Sequence, residues 1–360
     1  MTLGHFPNPL APFTEYTFGY ASSPDGFVFL SGLVASWVYL PLRMRLGKKA
    51  MRRKIFRRAG TIYLTHLALV VAGILVASNL GTSIEKIARA CRIFLAGALL
   101  TNQAGFDRIL PMYVVFLACT PLVLKQLIAG RARLVGLVSA SLWTAAQFGF
   151  GDWTTGGATG DHGNFNLFAW QAYFIAGQYL GWRGCAFVQE DSSGISGDSP
   201  ALPEKSLLAF VACALIAALL MVDRHLGLIG KTPWLHFSGH PDHNPMRFLD
   251  AACLGYLVWR IPRSVDLHLM QVRFFRFLNL LGRHSLQVFA FSMLITRFEA
   301  HTIERFSWGA KLIFCVATIA SLSLPALVHE LWRTASKPAL APKFGAAPSG
   351  DLMTQEVARP

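Results

Sequence analysis

Charge is what this sequence has least of. Only 14% of its 360 residues are charged, whereas soluble domains carry about 25%. Acids are scarcer still, 19 against 33 Lys and Arg. So thin a supply of solvating groups excludes a disordered chain and a pair of ordinary soluble domains. Cysteine is also scarce. The six (Cys91, Cys119, Cys185, Cys213, Cys253 and Cys315) are far apart and form no CxxC pair. That excludes a disulfide scaffold and a zinc site, and the cysteines read as small packing residues. There is no Walker motif, no GxSxG elbow and no HExxH, and no internal repeat of the kind many transporters carry. What is present in quantity is apolar sequence, 53% of residues, with a mean hydropathy of +0.43. The class is an all-α, polytopic transmembrane helical bundle.

Apolar runs of about spanning length fall at 27–42, 57–78, 110–128, 134–150, 165–182, 206–222, 247–259, 277–296 and 310–332. These nine runs predict nine spans. A further run at 88–100 is short and begins among Glu85, Lys86, Arg89 and Arg92, so it reads as interfacial or re-entrant. Segment 43–58 holds nine Lys and Arg and no acid. If it is cytoplasmic, the segments on its side of the membrane hold 22 Lys and Arg against 8 on the other, the asymmetry expected of cytoplasmic loops. The net charge of +14 therefore reflects orientation in the bilayer, and no nucleic-acid partner is expected. This parity puts Met1 outside with no signal peptide ahead of it. It leads to the expectation of a missing first span, which would make ten. Residues 188–206 read as an acidic linker, 1–332 as the transmembrane domain, and 333–360 as a disordered cytoplasmic tail.

Ionisable and polar groups near or within spans are functional candidates. His5 follows an apolar fragment, and an imidazole with a pKa of about 6.5 suits general-base work. Arg57 and Arg58 open a span from the basic segment; guanidinium forks bind phosphate, and positive-inside anchoring is the simpler alternative. Tyr63 and His66 follow two turns on, lining the same cavity or merely packing. Arg283 and His284 read as lying inside a span. Arg247 opens another span as an anion holder or an interfacial anchor. The stretch 151–171, with Trp153, Asn166, Trp170 and Gln171, offers aromatic faces and amides to a sugar, or an aromatic belt to the interface. The outer segment 223–246 holds His225, His236, His240 and His243 with Asp242. Gly239 and Pro241 break up any fixed spacing, and no metal is expected there.

Six stretches together resemble the OpgC family: MTLGHFPNPL, TEYTFGYASSPDGFVFLSGLVAS, KIFRRAGTIYL, DRILPMYVVFLACTPLVL, FNLFAWQAYFIAG and LGRHSLQVF, in that order. Members are inner-membrane succinyltransferases of osmoregulated periplasmic glucans, within the wider acyltransferase-3-like superfamily of ten-span enzymes. His5 matches the family histidine that follows an arginine-bearing first span. A later position, often histidine in the superfamily, is Ser292 here.

The resemblance implies an O-acyltransferase in the bacterial inner membrane, with no bound cofactor. Cytoplasmic succinyl-CoA would be the donor and a periplasmic β-glucan the acceptor. His5 would be the catalytic base and Asp25 its orienting carboxylate, although Asp25 also suits a turn in SSPDG. Arg57 and Arg58, with Tyr63 and His66, would hold the coenzyme. Arg247 or Arg283 would take the succinyl carboxylate, and Trp153, Asn166, Trp170 and Gln171 the glucan. Transfer of acetyl or another acyl group to a different envelope polysaccharide stays open, as does a glycan or acyl-donor transporter.

Overall fold

The computed structural model describes residue 10 and residues 17–77, 83–100, 109–154, 166–192, 207–226, 245–259, 272–302 and 307–335. Every regular element among them is helical. In chain order these are α1 (Ser23–Ala77), α2 (Ile84–Ala98), α3 (Ile109–Ile128), α4 (Ala132–Gln147), α5 (Leu167–Ser192), α6 (Leu207–Leu226), α7 (Pro245–Trp259), α8 (Arg273–Arg283), α9 (Ser285–Thr302), α10 (Trp308–Ser321) and α11 (Ser323–Ala335). A single 3-10 turn at Asp152–Thr154 precedes α5.

Four stretches are long and apolar enough to cross a membrane: Ser23–Leu75, Ile109–Ile128, Leu208–Leu226 and Trp308–Trp332. This makes the chain a membrane protein, although by that measure the expected spans at 134–150, 165–182, 247–259 and 277–296 are not met and those at 27–42 and 57–78 fall in one stretch, so nine become four. The shortfall has physical causes. The runs at 27–42 and 57–78 belong to the one helix α1, because the basic segment between them is itself helical. Its one interruption is Gly47, at φ 82° and ψ 173°, a backbone shape that only glycine adopts at little cost. The expected loop at 43–58 is thus a kinked helix, with the break at its fifth residue. Beyond the break, Met51, Ile55, Ala59 and Ile62 are buried at helical spacing, while Arg52, Arg53, Lys54 and Arg57 face out.

The expected span at 277–296 is likewise divided. α8 ends at Arg283, His284 leaves helical geometry, and α9 begins at Ser285. No residue of α8 is buried. With Phe274 and Leu278 exposed beside Arg273 and Arg276, it has the make-up of a helix lying in the interface. α2 is of the same kind: 15 residues, charged at its start, with only Gly97 buried. Residues 88–100 are therefore non-spanning, as the sequence suggests.

The tightest packing joins α1 to α5. A Cβ on Gly177 would collide with the Phe29 carbonyl, one on Gly181 with the Leu33 carbonyl, and one on Gly32 with the Phe174 carbonyl. Contacts advance together along both helices, from Phe29 with Gly177 to Trp37 with Gly184, so the two run parallel. Gly177 and Gly181 form a GxxxG pair, which lets backbones approach where no hydrophobic drive exists between helices in lipid. A neutral polar chain crosses the same contact. Ser36 Oγ donates to the Gln178 carbonyl (2.7 Å), and Gln178 Nε2 donates to Thr120 Oγ1 (2.9 Å) on α3. Around it, one core runs through α1, α3, α5 and α9, with Trp170, Phe174, Phe116 and Met293 among its members.

Candidate functional site

The starts of α1, α5 and α7 and the end of α6 meet at one end of the bundle, the end that the charge count puts outside. Among the described residues, the buried Asp25, Asp223, Arg247 and Asp250 gather here. Asp25 sits in the first turn of α1 with 1% of its surface exposed. Its Oδ2 accepts from Ser22 N (2.6 Å), Ser22 Oγ (3.0 Å) and Arg247 Nε (2.9 Å). It is both a turn residue and one half of a buried ion pair, a combination the sequence alone does not separate. Arg247, in the first turn of α7, also donates through Nη2 to Ser22 Oγ (2.5 Å). Its guanidinium carbon lies 5.2 Å from the centre of the Trp170 ring, within reach of a cation–π attraction. Its partner in the structure is the Asp25 carboxylate.

Three residues of this group carry no signal in the sequence. Asp250, one turn along α7 from Arg247, is fully buried. Its Oδ2 accepts the backbone N–H of Tyr20 (2.7 Å) and of Ala21 (2.8 Å). Asp223, near the end of α6, is also buried and accepts from the Tyr20 hydroxyl at 2.5 Å. The Arg224 guanidinium stands 5.5 Å over the same ring. Gly19, at φ +99°, makes the turn possible; a Cβ there would press against Asp250 Oδ2. Burial and the neighbouring Asp223 carboxylate push the Tyr20 phenol up to about 12, so it stays a donor across the physiological range. Segment Gly19–Asp25 is thus clamped by acids and arginines that lie some two hundred residues later. Only proximity in space could have revealed Asp223 and Asp250. Each is one acid at the edge of an apolar run, and the pairing crosses the whole chain.

The residues expected to meet a sugar divide. Trp153 is exposed and stacks on Phe168 with ring planes 7° apart. Asn166 is fully buried and donates through Nδ2 to the Phe150 carbonyl (2.9 Å) and to Asp152 Oδ1 (3.2 Å). Gln171 is tied to α4, where its Oε1 accepts from Ser139 Oγ (2.8 Å) and its Nε2 donates to the Ser139 carbonyl (2.8 Å). Trp170 lies beneath Arg247. Of the four, Trp153 alone offers an open aromatic face.

The residues expected to hold a coenzyme also divide. Arg57 is exposed, whereas Arg58 is half-buried and near enough to Tyr39 and Tyr113 for its charge to act on both phenols. Tyr63 donates to the Ala98 carbonyl (2.8 Å). His66 Nε2 lies 3.2 Å from the Gly97 carbonyl, which can only accept, so the imidazole donates there. Both side chains bind the end of α2.

Arg283 is exposed at the end of α8. The neighbouring His284 is buried, with Nε2 at 3.5 Å from Glu330 Oε1 and its ring 5.0 Å from that of His329. Ser292 is buried and donates to the Phe289 carbonyl (2.8 Å). His5, His236, His240, Asp242 and His243 lie outside the described residues, as do the glycine-rich part of 151–164 and the tail after Ala335.

The sequence matches the family model described as OpgC protein over residues 1–334. No curated protein and no solved structure matches. A match across nearly the whole chain, on a helical membrane protein with a buried charged group at one end, settles the kinship: the chain belongs to the OpgC protein family.

Proposed function

We propose that the protein is a multi-pass inner-membrane O-acyltransferase. It moves a succinyl group from cytoplasmic succinyl-CoA to glucose hydroxyls of osmoregulated periplasmic glucans. Membership of the OpgC family carries this reading. The arrangement of charge supports it: exposed cations in the middle of α1, and an enclosed polar group with an open tryptophan nearby at its start. Donor and acceptor of such a transfer lie on opposite sides of a bilayer and need different surfaces.

The chemistry follows from the residue types. His5 takes the proton of a glucose primary hydroxyl, and the oxygen attacks the thioester carbonyl. The tetrahedral intermediate collapses to the ester. Coenzyme A leaves as a thiolate and takes the proton back from the imidazolium. Arg57 and Arg58 hold the coenzyme's phosphates. Arg247 or Arg283 takes the succinyl carboxylate, and Arg247 would have to share itself with Asp25. Trp153 stacks on a glucosyl face, with Asn166, Trp170 and Gln171 shaping the ground beneath it.

The test is transfer of labelled succinyl from succinyl-CoA to extracted periplasmic glucan by the purified full chain in detergent. Mass spectrometry of glucans from a deletion strain completes it. Ester formation in the first and loss of succinyl groups in the second are expected. His5→Ala should abolish transfer while leaving the protein in the membrane. Glucans unchanged by the deletion, or acetyl transferred in place of succinyl, would sink the assignment of substrate and donor.

A further inference from the structure

The two buried carboxylates at the charged end differ in one respect that matters for proton transfer. Asp25 is saturated: Ser22 N, Ser22 Oγ and Arg247 Nε converge on Oδ2, and Oδ1 also lies 3.1 Å from Arg247 Nε. Its charge is balanced and its lone pairs are engaged. Asp250 is half used. Oδ2 takes two backbone N–H donors, while Oδ1 is buried with no hydrogen-bond partner. No cation pairs with Asp250 among the described residues.

A carboxylate oxygen can only accept while ionised, and leaving one buried and unmatched is costly. Such a group within a membrane protein marks function more often than structure. Its surroundings are those of a reaction site. Asp25 and the phenol of Tyr173 stand close to it, Arg247 lies one turn back on the same helix, and its Oδ2 holds the Tyr20–Ala21 backbone.

We infer that Asp250, rather than Asp25, is the carboxylate that takes part in acyl transfer, its Oδ1 accepting a hydrogen bond from the reacting sugar hydroxyl. Asp25 then serves to hold Arg247 and the start of α1. This rests on the acyltransferase reading, and it reverses the assignment the sequence suggests.

The geometry supplies a discriminating substitution. Asp250→Asn keeps an oxygen for the Tyr20 and Ala21 N–H groups and turns the open acceptor into an amide donor. Its clamp on Gly19–Ala21 survives, whereas its capacity to accept from a reacting group does not. The full chain carrying Asp250→Asn should reach the membrane at wild-type level and bind succinyl-CoA with an unchanged KM. Its kcat should fall about 10²–10⁴-fold, the range of a lost acid–base partner. The glucan KM should rise alongside the fall, because the lost acceptor is one that touches the sugar hydroxyl. Asp25→Asn should instead lower the amount of folded protein, with the surviving fraction keeping a kcat within a few-fold of wild type. Wild-type kcat in Asp250→Asn would overturn the inference and leave the acyltransferase reading intact. A wild-type protein that transfers no acyl group from either succinyl-CoA or acetyl-CoA would overturn both.

Discussion

The start and the middle of α1 handle charge in opposite ways. At its start, Asp25 is buried and paired with Arg247, and nearby Asp250 and Asp223 are buried against Tyr20 and Ala21. Around and beyond its kink, Arg45, Lys48, Lys49, Arg52, Arg53, Lys54 and Arg57 are exposed, and no acid stands among them in 43–58. Charges of both signs, buried together, fix a geometry because each is costly without its partner. Charges of one sign, left in water, fix an orientation in the membrane and remain available to an anion. The first arrangement is expensive to disturb and the second is cheap, and the two can be set against each other experimentally.

The largest effect should come from the buried end. Arg247→Ala leaves the Asp25 carboxylate enclosed without its cation, and breaking a buried pair this way costs about 3–5 kcal/mol. Thermal unfolding in detergent should show it as a fall in midpoint, together with a lower membrane level. Next comes the contact that supports that end. Gly177→Ala places a Cβ against the Phe29 backbone carbonyl, which no rotamer change relieves, so a loss of about 1–3 kcal/mol is expected. Gly255→Ala, on α7 with open space around it, should raise stability by about 0.5–1 kcal/mol instead. Equal effects at the two glycines would show that close helix approach is not what Gly177 provides.

Substitutions in the exposed middle of α1 should leave folding alone. Arg57→Ala is expected to stay within about 0.5 kcal/mol of wild type in stability. It should raise the KM for succinyl-CoA about tenfold, the value of one charge-assisted contact, and the rise should shrink as salt is added. Arg58→Ala, at the half-buried neighbour, should cost more in stability than Arg57→Ala. The smallest effect is a pH dependence at the clamp. The Tyr20 phenol is raised above its ordinary value of about 10 to about 12. Its contribution to stability is therefore complete below pH 10 and lost as the pH climbs through 12. Tyr20→Phe should remove that part of the alkaline decline, read from unfolding midpoints between pH 9 and 12.

The sequence reveals the apolar helices, the interfacial nature of 88–100 and the single-signed charge of 43–58, because composition and local runs encode all three. It conceals the breaks. Gly47 bends a helix that hydropathy divides into two spans and a loop, and His284 ends a helix inside what reads as one continuous run. Both are backbone events at single residues with no change of composition around them. The candidate site divides in the same way. Asp25, Arg247, Trp170 and Asn166 stand out as polar or aromatic groups at the edges of runs, and all four lie at the charged end. Their roles were not legible, since Arg247 is spoken for by Asp25 and Asn166 by the turn before α5. Tyr20, Asp223 and Asp250 went unmarked for the same reason: their meaning lies in partners that the chain reaches only by folding. The GxxxG pair at Gly177 was legible in principle, as two glycines four apart in an apolar helix.

The distances along the chain carry a consequence for synthesis. Ser36 bonds to a residue 142 positions later, and Asp25 to one 222 positions later. At the usual pace of a ribosome, Asp25 waits on the order of ten to forty seconds for its arginine. During that interval the neutral Ser36, well inside its helix, can reside in lipid at modest expense, whereas an unpaired carboxylate cannot. Asp25 is the third residue of α1, at the end where water is close at hand. The late pairings between full charges thus fall where a solvated carboxylate can wait for its partner, and the apolar stretch 26–42 that follows it carries only groups that need no escort.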